Sequence, residues 1–142
     1  LMRSSAASDV YKRQFLDLYN DFENYINHRN NTSTTRKEDL THRFYTLMMD
    51  NYREHKEVIF YADKLHVSSK YLSEVVKETS GKSPKDWIID YSLLEIKELL
   101  KNSSLNIQEI TIRTKFLNQS ALGRFFKRHT NMSPSEYRES TY

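Results

Sequence analysis

The sequence predicts an all-α fold: two helix-turn-helix subdomains joined by a central linker helix and preceded by an α-helical hairpin. Three observations predict it. First, 142 residues hold only two glycines and two prolines, too few for the closely spaced turns of an all-β chain. Second, apolar residues recur at i, i+3/i+4 and i+7 along most of the chain. Third, one pattern occurs twice. Ser83-Pro84-Lys85-Asp86-Trp87 returns 50 residues later as Ser133-Pro134-Ser135-Glu136-Tyr137, and Leu72, Val76 and Lys77 return as Leu122, Phe126 and Lys127. Upstream the offset falls to 49, with Ala62 and Val67 facing Thr111 and Phe116, so the second copy holds one extra residue. A repeated unit of short helices points to one task performed twice at a fixed separation.

Residues 1–14 are polar and carry no helical stripe. Asp9-Val10-Tyr11-Lys12-Arg13-Gln14 resembles the translated end of a transposon used in sequencing-library preparation. That implies an artefactual start and a missing native N-terminus; the alternative is an ordinary disordered tail. Phe15, Leu18, Tyr19, Phe22, Tyr25 and Ile26 form an amphipathic stripe that Asn30-Asn31-Thr32-Ser33 ends. Thr35 and Glu38 have capping-box spacing. They open a second helix striped by Leu40, Phe44, Leu47, Met48 and Tyr52. The hairpin over 15–55 cannot bury two stripes alone. A missing domain, a second copy of the chain (a homodimer through residues 15–55) or the C-terminal domain must cover them.

A second domain spans 56–142. Its first helix-turn-helix runs over about 57–80, with Val58, Tyr61, Ala62 and Leu65 inward on one helix. Ser68 or Ser69 caps the next, where Tyr71, Leu72, Val75, Val76 and Thr79 face inward and Gly81 stops the helix. Ser83 caps the linker helix over about 84–101, with Pro84 at the first position, where its missing N–H does no harm. This helix is apolar over much of its circumference (Trp87, Ile88, Tyr91, Leu94, Ile96, Leu99, Leu100), which predicts a buried, central place. The second helix-turn-helix covers about 107–129. Ile107, Ile110 and Thr114 face inward, Lys115 holds the turn, and Asn118 caps a helix packed by Leu122, Phe125 and Phe126. Asn131 ends it, and Ser133 with Glu136 opens a final helix over about 134–139.

Charge narrows the chemistry. The net charge is +3. Residues 1–57 are neutral, with nine basic and nine acidic side chains. Residues 110–138 hold Arg113, Lys115, Arg124, Lys127, Arg128 and Arg138 against Glu136 alone. A concentrated positive face suits a polyanion. With no cysteine there is no disulfide, thiolate metal site or thiol nucleophile. The five histidines show no metal-ligand spacing, so no enzyme, cofactor or metal is expected. The longest apolar run, Val58 to Ala62, is far too short to span a bilayer. The start lacks the apolar stretch of a signal peptide, and a cytoplasmic location is expected.

A major groove admits one α-helix, which the preceding helix braces. In the second copy Gln119 suits adenine, Arg124 suits guanine, and Ser120 shares their face. In the first, Lys70, Ser73 and Glu74 match them. These six are the base-reading candidates. Ser69, Lys77, Asn118, Lys127 and Arg128 are the phosphate candidates. The alternative is a helical protein-interaction module without direct DNA binding.

Tyr61-Ala62-Asp63-Lys64-Leu65-His66-Val67-Ser68-Ser69-Lys70-Tyr71-Leu72-Ser73 resembles the first helix-turn-helix of the AraC/XylS family of bacterial transcription regulators. The stretch from Ile107-Gln108-Glu109-Ile110 through Phe116, Gln119-Ser120 and Arg124-Phe125-Phe126-Lys127 to Met132-Ser133-Pro134-Ser135-Glu136-Tyr137-Arg138 is similar to that family's signature second unit. The resemblance covers roughly 56–139. It implies a double-stranded DNA partner, two recognition helices in adjacent major grooves about one DNA turn apart (roughly 34 Å), transcription activation, and contact with RNA polymerase. It also implies that 15–55 is the helical tail of an N-terminal sensing or dimerisation domain. The chain departs from the family pattern at several positions. Lys115 stands where the second turn usually has glycine, Thr111 replaces an alanine, and Leu122 replaces an aromatic. Gly123 lies inside the recognition helix, and Glu74 stands where many relatives are basic.

Overall fold

A computed structural model describes residues 35–141, with isolated positions 13, 17, 20, 21, 23 and 24 before them. The apolar stripe of the first hairpin helix lies outside the described residues. Seven helices follow among the described residues. They are α1 Arg36–Asn51, α2 Val58–Lys64, α3 Ser69–Ser80, α4 Pro84–Asn102, α5 Ile107–Arg113, α6 Gln119–Thr130 and α7 Pro134–Glu139. The chain divides into two compact units, one within Leu16–Tyr91 and one within Ser92–Tyr142.

In the first unit α1 packs against α2 and α3. Thr35 and Glu38 form the expected capping box. Leu40, Phe44, Met48 and Tyr52 are buried and Leu47 is half-buried, so most of α1's apolar stripe is covered within its own chain. Burying each such side chain is worth about 1.5–3 kcal/mol. The Phe44 and Tyr61 rings meet edge to face at 5.5 Å. The Tyr45 and Tyr91 hydroxyls are hydrogen-bonded to each other. The exposed Lys37–Glu78 pair, 3.1 Å apart, joins α1 to α3 but is solvated and contributes little. One expectation fails: Tyr71 was placed on the inward side of α3 and is 44% exposed. Leu72, Val75, Val76 and Thr79 already fill that side, and Tyr71 falls at its edge.

The second unit is built on Ile96, Leu100, Ile110, Leu122, Phe126 and Tyr137, with Phe116, Phe125 and Met132 packed against them. Linker helix α4 extends one residue past its expected end, and no residue from Trp87 to Asn102 is exposed. Asn106 and Glu109 form a further capping box at the start of α5. Its Asn-x-x-Glu spacing is the sequence signal of that box.

Candidate nucleic-acid interface

Each helix-turn-helix is closed by the same local chemistry. Two residues past the end of α2 stands His66, with φ 58°, and two past the end of α5 stands Lys115, with φ 63°. In both turns an N–H reaches back five residues, from Val67 to the Ala62 carbonyl (3.0 Å) and from Phe116 to the Thr111 carbonyl (3.1 Å). This pattern satisfies carbonyls that a helix end otherwise strands. Lys115 therefore takes the left-handed conformation although it is not glycine. His66 takes it too.

The recognition helices start on matching caps. The Ser68 hydroxyl accepts from the Tyr71 N–H, and Asn118 Oδ1 accepts from the Ala121 N–H at 2.8 Å. They end alike, on left-handed Gly81 and Asn131. The hydroxyl before each stop, Ser80 or Thr130, donates to the carbonyl four residues back and accepts from the N–H two residues on. The second copy holds one extra residue. Turn residues match at an offset of 49 and caps at 50, so the insertion is Leu117, between Phe116 and Asn118. Its side chain is 91% exposed. The insertion bulges outward and leaves the core register intact.

The second-copy candidates share one solvent-facing side: Asn118, Gln119, Ser120, Arg124, Lys127 and Arg128 are all exposed, over a helix sealed beneath by Leu122 and Phe126. Arg124 and Arg128 make no ion pair among the described residues. Asn118 uses its oxygen in the cap, which leaves its amide N–H groups as donors. Gln119 Nε2 donates to Gln108 Oε1 at 2.9 Å, joining α6 to α5. In the first copy Lys70, Glu74 and Lys77 are exposed, whereas Ser69 and Ser73 are half-buried. Arg138 belongs to the basic surplus by count only. It is half-buried, and its guanidinium donates to the Leu99 and Leu100 carbonyls.

Two titrations reflect local geometry. At Glu136 the hydrogen bonds to the Ser133 side chain and backbone hold the carboxyl below its ordinary range, and the Lys127 charge adds to this. Burial pushes the Tyr61 phenol well above its ordinary value. Its hydroxyl donates to the His55 carbonyl at 2.6 Å.

Two helix-turn-helix units on a shared linker helix, the second with an exposed basic and amide-bearing face, define a tandem helix-turn-helix protein. A helix-turn-helix domain model matches residues 61–140, and the chain belongs to the AraC/XylS family of helix-turn-helix regulators. It is 27% identical over 137 residues to the uncharacterized HTH-type transcriptional regulator YdiP of Escherichia coli, covering 96% of this chain and 45% of that protein. It is 31% identical over 78 residues to the Msm operon regulatory protein of Streptococcus mutans, covering 55% of this chain and 28% of that protein. The chain thus spans less than half the length of these curated relatives. Among solved structures, the C-terminal domain of AraT, a response regulator from Geobacillus stearothermophilus, matches with a TM-score of 0.66 at 25% identity. That match covers 75% of this chain and 89% of that one.

Proposed function

We propose that this chain is the sequence-specific DNA-binding part of a transcription regulator, and that α6 reads one major groove while α3 reads its neighbour. The observation that carries this reading is the exposed face of α6. It sets amide and guanidinium groups suited to base edges beside lysine and arginine suited to phosphates. Gln119, Ser120 and Arg124 read bases, with Lys70, Ser73 and Glu74 in the same role on α3. Ser69, Lys77, Asn118, Lys127 and Arg128 hold phosphates. Glu74 can accept from a cytosine amino group but repels phosphate, so α3 contributes discrimination more than attraction. Membership of the family supports transcription activation, contact with RNA polymerase and a cytoplasmic location as further parts of this reading. No helix among the described residues is long and apolar enough to cross a membrane. A homodimer through residues 15–55 must leave Leu40, Phe44, Met48 and Tyr52 aside, since these are already buried within the chain.

The test is the salt dependence of binding to duplex DNA selected from a random pool. Displaced counterions make log K fall steeply and linearly with log salt. Binding that ignores salt, or a selection that enriches no sequence, overturns the reading in favour of a protein-interaction module.

A further inference from the structure

We infer that Gln108 is a positioning residue for base recognition: from α5 it orients the Gln119 amide so that α6 presents one fixed donor–acceptor edge. The inference rests on the proposed base-reading role of Gln119 and names a residue outside the recognition helix as part of that role.

Both side chains are exposed, and Gln119 is the first residue of α6. A glutamine amide has two N–H donors and one carbonyl acceptor. Pairing with adenine uses the carbonyl, which accepts from N6–H, and one N–H, which donates to N7. The other N–H is spare. Gln119 Nε2 donates to Gln108 Oε1 at 2.9 Å, a bond that can use the spare hydrogen while the pairing edge stays free. It also selects which end of the Gln119 amide faces α5. If the Gln119 amide alone turned over, its carbonyl would face the Gln108 carbonyl, acceptor against acceptor. An exposed glutamine otherwise arrives in a groove free to rotate, and ordering it then costs binding free energy. Held beforehand, it discriminates better.

Two substitutions separate orientation from charge. In Gln108→Glu the carboxylate only accepts, so it keeps Gln119 Nε2 facing it while adding negative charge. In Gln108→Lys the ammonium only donates, so it draws the Gln119 carbonyl toward itself while adding positive charge. Both sites face solvent, and far-UV circular dichroism of the full chain should be unchanged.

The experiment selects duplexes from a random pool with the full chain. It then measures affinity for the best duplex and its single-base variants by fluorescence anisotropy. Gln119→Ala should reduce preference at one base pair by about ten-fold, the worth of a bidentate contact. Gln108→Glu should keep the preference at that base pair while weakening all duplexes. Gln108→Lys should tighten all duplexes yet cut that preference by about three-fold or more, as a misdirected amide loses its pairing edge. If the two substitutions shift affinity in opposite directions and leave preference at wild-type level, Gln108 acts by charge alone and the inference is overturned. If Gln119→Ala itself leaves preference unchanged, the underlying assignment of Gln119 falls and this inference falls with it.

Discussion

Lys101 and Arg138 each close the carboxyl end of the other's helix. Arg138 Nε donates to the Leu100 carbonyl at 2.8 Å and its Nη2 to the Leu99 carbonyl at 3.3 Å, at the end of α4. Lys101 Nζ donates to the Arg138 carbonyl at 3.2 Å and to the Ser140 carbonyl, at the end of α7. Lys101 also lies over the Tyr137 ring, 5.1 Å from its centroid. Cations at helix C-termini meet both the stranded carbonyls and the negative end of the helix dipole. The exchange fixes the last helix against the linker.

Removing one partner should therefore destabilise the second unit. Arg138→Ala is expected to lower the unfolding free energy by about 1–3 kcal/mol, because two partly buried carbonyls lose a charged donor. Arg138→Lys should recover only part, since an ammonium cannot span two carbonyls as the planar fork does. Urea unfolding followed by circular dichroism checks both. An unchanged midpoint in the alanine variant would show the exchange to be energetically idle.

How far the sequence could be read follows from distance along the chain. The Thr35–Glu38 and Ser133–Glu136 capping boxes, the Gly81 and Asn131 stops and the Lys115 turn are local devices, each set within about one helical turn, and all were readable. Asn106–Glu109 is a local device of the same kind. The Lys101–Arg138 exchange joins residues 37 positions apart through carbonyls that every sequence possesses, so no residue pattern announces it. Periodicity gave α3 its inward side but not that side's limits. Tyr71 is as apolar as its neighbours and is left out because the space beneath α3 is already full. The Gln108–Gln119 bond depends on how tightly the α5–α6 turn brings two helix faces together, which spacing alone does not give.

The second unit carries lysine where glycine would be relaxed, and glycine where none is required. Lys115 has φ 63°, a conformation that costs a residue with a Cβ about 1–2 kcal/mol. At Gly123, inside α6, an added Cβ would meet nothing within 4 Å. Lys115→Gly and Gly123→Ala should each raise stability by about 1 kcal/mol, the first by relieving the turn and the second by improving helix propensity. Urea midpoints of the two variants and their double mutant test this, with near-additive gains expected for separate sites. A fall in the midpoint of Gly123→Ala would mean that the recognition helix needs the glycine for its own fold. A rise in stability with weaker DNA binding would assign Gly123 to close approach of the DNA backbone.

Acid should loosen the last helix. Hydrogen bonds from the Ser133 side chain and backbone hold the Glu136 carboxyl below its ordinary range in the folded chain. The folded state therefore releases this proton more readily than the unfolded state. The resulting stabilisation is present above the ordinary carboxylate range and is lost as pH falls through the lowered value. In a carbon-detected NMR titration, Glu136 should show its inflection below that of a solvated glutamate, and Ser133→Ala should move it back up. An inflection at or above the ordinary range would contradict the capping role of the carboxylate.

Arg124 and Lys127 lie on the same exposed side of α6, one turn apart, and should fail differently. Arg124 is five residues beyond Gln119, and its planar fork can take both acceptors of a guanine edge. Arg124→Ala is expected to cost about 1–3 kcal/mol on the preferred site and to relax preference at one base pair. Lys127 lies nearer the helix end, beside Glu136, whose carboxyl feels its charge. As a point charge it suits a phosphate and carries no base information. Lys127→Ala should weaken all duplexes alike and flatten the salt slope by about one unit. Affinity measured against the selected duplex, its single-base variants and unrelated DNA, at several salt concentrations, separates the two. A Lys127→Ala loss confined to one sequence places that side chain in the groove. An Arg124→Ala loss that is equal on every sequence moves Arg124 to the phosphates and leaves base reading on this helix to Gln119 and Ser120.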